Sequence, residues 1–482
     1  MSMEKNRENR YAGIPRLEDY SASPTFGFVE ESPSLNLPEY FQRWVELATH
    51  TEELIRSGQI RQEVHQLPVL DHTRLDSPQA YKAAMVCLVA LTQAYVWCEG
   101  EDGIPEVLPR CLAVPLAAVA DYLQVPPSMH SYSFGLINWK LTDPDGKVEL
   151  DNLETLVQIC GGSDESWFFC TATQVELDFA PALNSMIEAQ KAVVDKDVHK
   201  MIKELQTIEG AVHKMKNSFS KMIDGCRPHV FYNVFRPFLA GWDAPAFKKK
   251  GLKGLIYEGV SEEPLSYTGG SAAQSSTLQC LDAALGVTHQ ESQDKLCKSF
   301  QQYMPKPHRD LIKAIQEGPS IKEFVHNSGS SKAVECFNNS LMAVKGFRDI
   351  HLQIVTRYII IMSQKSNANK KYLTQHEAGT GGSGFMTFLK GLRDATICTM
   401  LGRDLNEHTT TADAVAKTTN GAICKSSRQD VEWSRWKKYI AFLTLCVLVV
   451  LLIILIIFLA WTSMVPLYTY IYIWLVWKVI LQ

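Results

Sequence analysis

The chain has 482 residues, of which 46% are hydrophobic and 21% are charged, and its formal net charge at pH 7 is −4. Since domains usually span about 100–200 residues, this length allows two to four of them with a large core. The composition excludes a wholly disordered, a collagen-like or a disulfide-scaffold protein. The 48 basic and 52 acidic residues nearly balance, so no nucleic-acid partner is expected.

The first twenty residues contain no apolar stretch of the kind that forms a signal peptide. We therefore interpret residues 1–20 as a flexible segment. Twelve cysteines are scattered along the chain and none form a C-x-x-C pair, which argues against a zinc ribbon. Reduced thiols and a cytoplasmic body are the simplest interpretation.

In the N-terminal third, apolar residues recur at helical spacing over Pro38–Ser57 and Tyr81–Trp97. The second helix is almost wholly apolar and is expected to be buried. Alternating patterns are limited to Lys147–Leu150 and short neighbours. Turn residues cluster at Cys160–Ser166, which predicts a small domain over 21–160 before a larger one.

The larger domain, 161–404, is again helical. Its spacing predicts one long helix over Phe179–Ser220 and another over Cys336–Ser363. The basic cluster Lys248–Lys250 is read as a solvated loop, and Ser363–Gly384 as a long mobile loop that covers a site. The fold class is therefore all-α, with two domains.

The C-terminus differs from the rest of the chain. A polar linker over 405–436 leads to a hydrophobic tail over 437–482. Residues 439–461 form a run of 23 residues without a charge; as a helix it would be about 34 Å long, enough to cross a bilayer. Basic residues precede it, which predicts a cytoplasmic body tail-anchored to an intracellular membrane. The alternative is a tail that derives from an alternative or mispredicted last exon.

His351 lies in an apolar helical stretch, GFRDIHLQIVTRYIII. A lone histidine on such a face is usually a core residue whose hydrogen bonds are satisfied. The alternative is a haem ligand, because a haem would need one neutral imidazole in a dry pocket. Arg348, one turn earlier, would then meet a carboxylate at the haem edge. The alternative for Arg348 is a surface position.

Arg236 lies in an aromatic segment, HVFYNVFRPFLAGW. A planar guanidinium matches a carboxylate, so an anionic ligand with an aromatic body would suit this segment. The alternatives are an arginine that reaches solvent or one that pairs with Asp243.

Two further features are weaker. The Gly/Ser-rich stretch Thr268–Ser276 allows close approach of the backbone to a planar ligand, although it also reads as an ordinary loop. The adjacent rings of Phe168 and Phe169 cannot both face one helix stripe, which leaves one of them free to line a cavity, although core packing is the default for both.

Several long strings together resemble the indoleamine 2,3-dioxygenase family, from about Tyr11 to Asp404. They are NLPEYFQRWVELA, AYVWCEGEDGIPEVLPRCLAVPL, FYNVFRPFLAGW, LIYEGVSEEPLSYTGGSAAQSS, YMPKPHRDLI, HLQIVTRYI and GTGGSGFMTFLK. The resemblance implies a monomeric all-α protein that holds haem b in its larger domain. It further implies that O₂ is added across the indole C2–C3 bond of L-tryptophan, giving N-formyl-L-kynurenine, and that a cellular reductant keeps the haem active.

The resemblance also assigns roles to residues. The haem ligand falls on His351, and the carboxylate-binding arginine on Arg236. The remaining cofactor-side residues are Ser271, Arg348 and Asp282. The other residues near substrate are Phe168, Phe231, Gly270, Ala272 and the lid threonine Thr380.

This sequence departs from the family pattern at the distal side of the pocket. Ala172 stands at a serine position, so no hydroxyl reaches the ligand from there. Ser131, Phe134 and Gly135 replace Tyr, Cys and Val in the segment that caps the pocket. Because these changes alter the shape of the pocket, we expect a low affinity for tryptophan.

Two alternatives to turnover remain open. Tyr257, in LIYEGV, fits a short tyrosine-based inhibitory pattern that would dock an SH2 module once phosphorylated. A haem-based gas sensor of the same fold is the other.

Overall fold

Helices dominate the computed structural model, which describes residues 10–365 and 385–402 together with Trp474 and Lys478. Most of the predicted loop over Ser363–Gly384 lies outside the described residues. So do the predicted linker and, apart from Trp474 and Lys478, the hydrophobic tail with its predicted span over 439–461.

The α-helices are numbered in chain order. They are α1 Gln42–Thr49, α2 Thr51–Ser57, α3 Ile60–His65, α4 Pro78–Trp97, α5 Arg110–Leu123, α6 Ser163–Asp195, α7 Val198–Ser220, α8 Met222–Gly225, α9 Pro228–Val230, α10 Pro245–Lys249, α11 Ser276–Leu285, α12 Glu291–Gln301, α13 Lys306–Glu317, α14 Ile321–Asn327, α15 Ser331–Val355, α16 Ile361–Lys365 and α17 Phe385–Cys398.

Shorter elements connect them. The 3₁₀-helices are Leu17–Tyr20, Glu39–Phe41, His72–Arg74, Leu150–Asn152, Arg236–Leu239 and Ala272–Gln274. The π-helices are Tyr132–Leu136, Phe231–Phe235 and Thr356–Ile360. The strands are β1 Val107–Leu108, β2 Lys140–Leu141, β3 Leu153–Glu154 and β4 Ile256–Tyr257; β1 pairs in parallel with β4, and β2 antiparallel with β3.

The buried apolar helix predicted over Tyr81–Trp97 is confirmed as α4. Its first turn is capped by Ser77, whose hydroxyl accepts a hydrogen bond from the Ala80 N–H at 3.2 Å, and Pro78 opens the helix. Within the described residues α4 is also the one helix long and apolar enough to cross a membrane, but 89% of its most apolar window is buried. It is therefore the core helix that its composition predicts.

The single helix predicted over Phe179–Ser220 is wrong, because the chain turns in the middle of it. Helix α6 ends at Asp195, and Lys196 adopts a left-handed backbone with φ of 57°. Asp197 then caps α7 by accepting a hydrogen bond from the Lys200 N–H at 2.9 Å. Since α6 and α7 pack along each other, both bury apolar faces, and the hydrophobic spacing continues across the turn.

Two smaller expectations also need correction. Lys147–Leu150 is not a strand; the strands of that region are its neighbours β2 and β3, in register Lys140 with Glu154. The basic cluster Lys248–Lys250 is exposed as expected, but its first two lysines end α10 instead of forming a loop.

The cluster of turn residues after Cys160 is confirmed, because Gly161 and Gly162 have positive φ and α6 begins at Ser163. The described residues up to Gly402 form one compact unit. The predicted boundary between a small and a large domain near residue 160 stays a prediction. Helices α6 and α15 both pack on α7, and this layer forms one side of the site.

Candidate functional site

A mostly apolar cavity lies between the α6–α7–α15 layer and the segments that face it. Most of the predicted site residues line this cavity, although they come from distant parts of the chain. Those that line it are Ser131, Phe134, Gly135, Phe168, Ala172, Phe231, Arg236, Gly270, Ser271, Ala272 and His351. Arg348 and Asp282 lie outside the lining, and Thr380 lies outside the described residues.

All π-helices of the described chain contribute to this cavity. Phe134 and Gly135 come from the first, Phe231 from the second and Tyr358 from the third. A π-turn adds one residue to a helical turn and so re-aims the side chains beyond it, which is why such turns concentrate at functional sites. A search for the 3.6-residue period does not reveal them.

His351 lies on α15 and presents its imidazole to the cavity. The Phe219 ring meets it edge-on, with centroids 5.6 Å apart. Burial, aided by the positive charge of Arg348, lowers the pKa of His351 to about 4, so the ring is neutral at physiological pH. None of the described groups hydrogen-bonds to the ring, which leaves a nitrogen lone pair for a ligand in the cavity.

This arrangement suits a porphyrin-bound iron better than a bare metal ion. Within the described residues no three His, Cys, Asp or Glu side chains are grouped as a metal site. A haem iron needs only one axial protein ligand, since the porphyrin supplies four nitrogens. A neutral imidazole in an aromatic, apolar cavity therefore fits a haem.

Arg236 follows the second π-helix and opens a 3₁₀-helix. Only 3% of the residue is exposed, so the alternative of an arginine that reaches solvent is wrong. The Tyr232 ring lies 5.3 Å from its guanidinium carbon. Burial lowers the pKa of Arg236 to about 10, which still leaves it charged at neutral pH. A fixed cation in an apolar wall is a site for an anionic group.

The two adjacent phenylalanines have different surroundings. Phe168 lines the cavity and meets the Phe231 ring at a centroid distance of 5.1 Å and the Phe235 ring at 5.4 Å. Phe169 is buried and packs against the Phe134 ring at 5.0 Å. The cavity thus has an aromatic wall backed by a second aromatic layer.

The backbone of the Gly/Ser-rich stretch comes close to the backbone of the Arg236 segment. A Cβ atom on Gly241 would overlap the backbone at Gly269, and one on Gly269 would overlap the backbone at Gly241. The Gly270 N–H then donates to the Leu239 carbonyl oxygen at 2.9 Å. This contact places Gly270, Ser271 and Ala272 in the cavity wall.

Glu176 also lines the cavity but was missed by the sequence analysis. Its carboxylate accepts hydrogen bonds from the hydroxyls of Ser275 and Thr277, each at 2.5 Å. Burial raises its pKa, despite these bonds. Helical spacing could have revealed Glu176 in the sequence, because it follows Phe168 and Ala172 at successive steps of four residues and so lies on the same face of α6.

Arg348 and Asp282 form the predicted ion pair, with 2.6 Å between Nη2 and Oδ2. The surface alternative for Arg348 is wrong, because the residue is 4% exposed. Its other terminal nitrogen donates to the Leu392 carbonyl oxygen at 3.0 Å, and the His289 ring shares the Asp282 oxygen at 2.9 Å. The pair therefore joins α15 to α11 and α17 behind His351, and its role toward a cofactor stays a prediction.

Tyr257 is fully buried. Its hydroxyl donates to the Pro127 carbonyl oxygen at 2.6 Å and accepts from the Trp242 indole N–H at 2.8 Å. A kinase could not reach this hydroxyl without unfolding the surrounding structure. The burial therefore weighs against a signalling role for this motif.

Comparison with known proteins agrees with the resemblance. The family model described as indoleamine 2,3-dioxygenase matches residues 16–399. The chain belongs to this family. Human indoleamine 2,3-dioxygenase 2 is 33% identical over 407 residues, which cover 83% of this chain and 99% of that protein. Mouse indoleamine 2,3-dioxygenase 1 is 34% identical over 390 residues, covering 79% of this chain and 94% of that protein.

A relative with a different name is almost equally similar. The myoglobin of the abalone Haliotis madaka is 33% identical over 385 residues, which cover 79% of this chain and 98% of that protein. Family membership supports dioxygenase chemistry in general. The activity of this particular member depends on the residues of its own cavity.

Proposed function

We propose that this protein is a haem-dependent dioxygenase that opens the indole C2–C3 bond of L-tryptophan to give N-formyl-L-kynurenine. The observation that carries the proposal is one cavity with a neutral imidazole in one wall and a buried guanidinium beside aromatic rings elsewhere in its lining. His351 would hold the iron. When bound, haem supplies the activation of O₂ that allows both oxygen atoms to enter the product.

Arg236 orients the substrate. Its guanidinium would donate hydrogen bonds to the amino-acid carboxylate, whose planar shape it matches. Phe168 and Phe231 present ring faces and edges for an indole. Arg236 fixes the carboxylate while the rings confine the indole, so the C2–C3 bond is held in one place. This orientation of the substrate is the main contribution to catalysis that we expect of the protein.

The apolar part of the wall also keeps water away from the reacting bond. Phe168, Ala172 and Phe231 carry no group that transfers a proton. Their apolar surface excludes water and so strengthens the interaction of Arg236 with its anion. Direct addition of oxygen to an electron-rich ring needs no strong acid or base at this wall.

The cap of the pocket supports the expectation of low tryptophan affinity. A Cβ atom on Gly270 would lie 2.6 Å from Cε1 of Phe134, so that ring fills the space over the glycine. Gly135, next in the chain, has no side chain to fill the space beside it. The cap thus has a bulky side chain at Phe134 and none at Gly135. We expect this shape to change the affinity for the substrate and to leave the type of reaction unchanged.

The test uses the full-length protein purified with haem supplied. Absorption spectra of wild type and His351→Ala report haem ligation, and assays with L-tryptophan, O₂ and a reductant report N-formylkynurenine. We expect a haem spectrum and product from wild type and the loss of both in the variant. A folded wild type that takes up no haem would contradict the proposal.

The abalone relative favours a second candidate, because a protein of this family and similar identity is named a myoglobin. In that case haem would bind O₂ reversibly without product. The same preparation decides between them: haem with reversible O₂ binding, and no product even at high tryptophan, would favour O₂ storage or sensing.

Three further expectations from the sequence analysis remain proposals. They are a monomeric state, a cellular reductant, and a cytoplasmic body attached to an intracellular membrane through 439–461. Fractionation of cells that express the full-length chain and a chain truncated at residue 430 would test the attachment.

A further inference from the structure

The side chain of Gln274 connects two walls of the cavity. It ends the 3₁₀-helix Ala272–Gln274 and is 2% exposed. Its Oε1 accepts hydrogen bonds from the Ser131 N–H at 3.1 Å and the Ser271 N–H at 3.2 Å, and its Nε2 donates to the Gly269 carbonyl oxygen at 3.0 Å. One amide therefore binds three backbone groups.

These backbone groups belong to segments far apart in the chain. We call residues 131–136 the cap segment and residues 269–272 the loop segment. Both line the cavity. Within the described structure the Ser131 N–H has this single hydrogen bond, at the start of the first π-helix. A buried N–H without an acceptor is costly, so the Gln274 amide fixes where the cap segment begins.

The spacing of the two segments matters because they touch inside the cavity. The Phe134 ring of the cap segment lies against Gly270 of the loop segment, so close that a Cβ atom on Gly270 would overlap the ring. A small displacement of either segment would therefore move the ring that bounds the substrate space. Gln274 lies behind this contact and outside the cavity lining.

We infer that Gln274 is a positioning residue that sets the spacing of the cap and loop segments and thereby the affinity for substrate. The inference rests on the proposed function, since it names a determinant of tryptophan binding in that same cavity. Gln274 touches no reacting atom, so its loss should change binding more than turnover.

Gln190 provides a matched control. It is also a buried glutamine, 1% exposed, and its Nε2 donates to the Ile315 carbonyl oxygen at 2.8 Å, between α6 and α13. It does not line the cavity. Gln274→Met and Gln190→Met each remove a bridging amide and keep the length of the side chain, so both should lower the unfolding temperature.

The experiment measures KM and kcat for L-tryptophan, haem content and the tryptophan-induced change in the haem spectrum, all on the full-length holoprotein. We expect Gln274→Met to raise KM and the spectroscopic dissociation constant about tenfold while kcat stays within about twofold. Gln190→Met should leave both constants unchanged. Equal constants in Gln274→Met and wild type, or an equal rise in both variants, would overturn the inference.

A second pair of variants removes the donor instead of the acceptor. Ser131 has φ of −53°, which proline adopts readily. Ser131→Pro removes the N–H and the hydroxyl, whereas Ser131→Ala removes the hydroxyl alone. If Gln274→Met does not fold, a rise in KM in Ser131→Pro beyond that in Ser131→Ala supports the inference, and equal values overturn it. A wild type that neither forms product nor binds tryptophan overturns the proposed function, and the inference with it.

Discussion

Arg348 and Asp282 form a buried ion pair, 2.6 Å between Nη2 and Oδ2, one turn from His351 on α15. Asp282 belongs to α11, which follows the loop segment. The pair thus links the helix of the proposed haem ligand to the helix that follows the loop segment. Breaking the pair should therefore destabilise the packing of both helices.

Asp282→Asn is expected to lower the free energy of unfolding by about 3–5 kcal/mol, because it leaves the Arg348 charge buried without its counter-ion. Urea unfolding of the full-length protein measures the loss. Glu317→Gln is the control, since the Lys313–Glu317 pair is 3.8 Å apart with side chains 72% and 67% exposed; it should change stability by less than about 0.5 kcal/mol. Similar losses in both variants would contradict the role given to the buried pair.

Arg236→Leu is expected to raise KM for L-tryptophan by about 10–100-fold, because one charge-assisted hydrogen-bonded pair is lost. Tryptamine, which has the same indole but no carboxylate, is the control substrate. Its KM should be nearly the same in wild type and variant. Steady-state assays with both substrates measure the difference, and a parallel rise for both would mean that Arg236 supports the cavity without binding the carboxylate.

Gly270→Ala is expected to raise KM for L-tryptophan severalfold, because the new Cβ, 2.6 Å from Cε1 of Phe134, must displace that ring. Adding Phe134→Ala should remove the clash, so the two substitutions should not be additive. Gly210→Ala on α7 is the control, since its Cβ meets nothing within 4 Å; it should leave KM unchanged. Additive effects on KM would argue against the contact.

Asp164→Asn is expected to reduce stability at neutral pH and to have little effect in acid. The hydrogen bonds from Arg227, with Nη2 to Oδ2 at 2.6 Å, hold the pKa of Asp164 below its usual value. The unfolded chain therefore binds more protons near pH 4, and stability rises with pH there. The contribution of the pair is complete above the unfolded pKa and disappears as pH falls through the folded pKa.

Thermal unfolding of wild type and Asp164→Asn from pH 7 to pH 3 measures this dependence. Because the Arg227 side chain is 66% exposed, solvent screens the pair, and the loss of stability at pH 7 should be smaller than that expected for Asp282→Asn. A difference that stays constant down to pH 3 would show that the effect arises from packing and not from charge.

Phosphorylation of Tyr257 is expected only in unfolded protein, because its hydroxyl is buried between the Pro127 carbonyl and the Trp242 indole. The native protein and, separately, fragments of the unfolded chain freed of urea are incubated with a tyrosine kinase. Peptide mass spectrometry then measures the modification of Tyr257 in each sample. Tyr122, which is 49% exposed, is the accessible control. Modification of Tyr257 in the native protein would revive the signalling alternative.

The sequence by itself predicted those features whose signal is local. The apolar run of α4 and the spacing within α15 follow from the helical period, and burial of those faces is the simplest way to remove them from water. The roles of His351 and Arg236 came from the family resemblance, because their residue types and neighbours alone left a core histidine and a solvent-exposed or paired arginine open. The family came from long strings that need no three-dimensional information.

Only the tertiary structure decided what depends on contacts between distant segments. The turn at Lys196 was hidden, because α6 and α7 bury equivalent faces against each other. The burial of Arg348 and Tyr257 depends on partners far away in sequence, such as Asp282 and Pro127. The position of the Gln274 amide between the cap and loop segments is of the same kind. Hydrogen bonds and desolvation act between groups brought together by folding, and the sequence pattern of one segment carries no record of its partner.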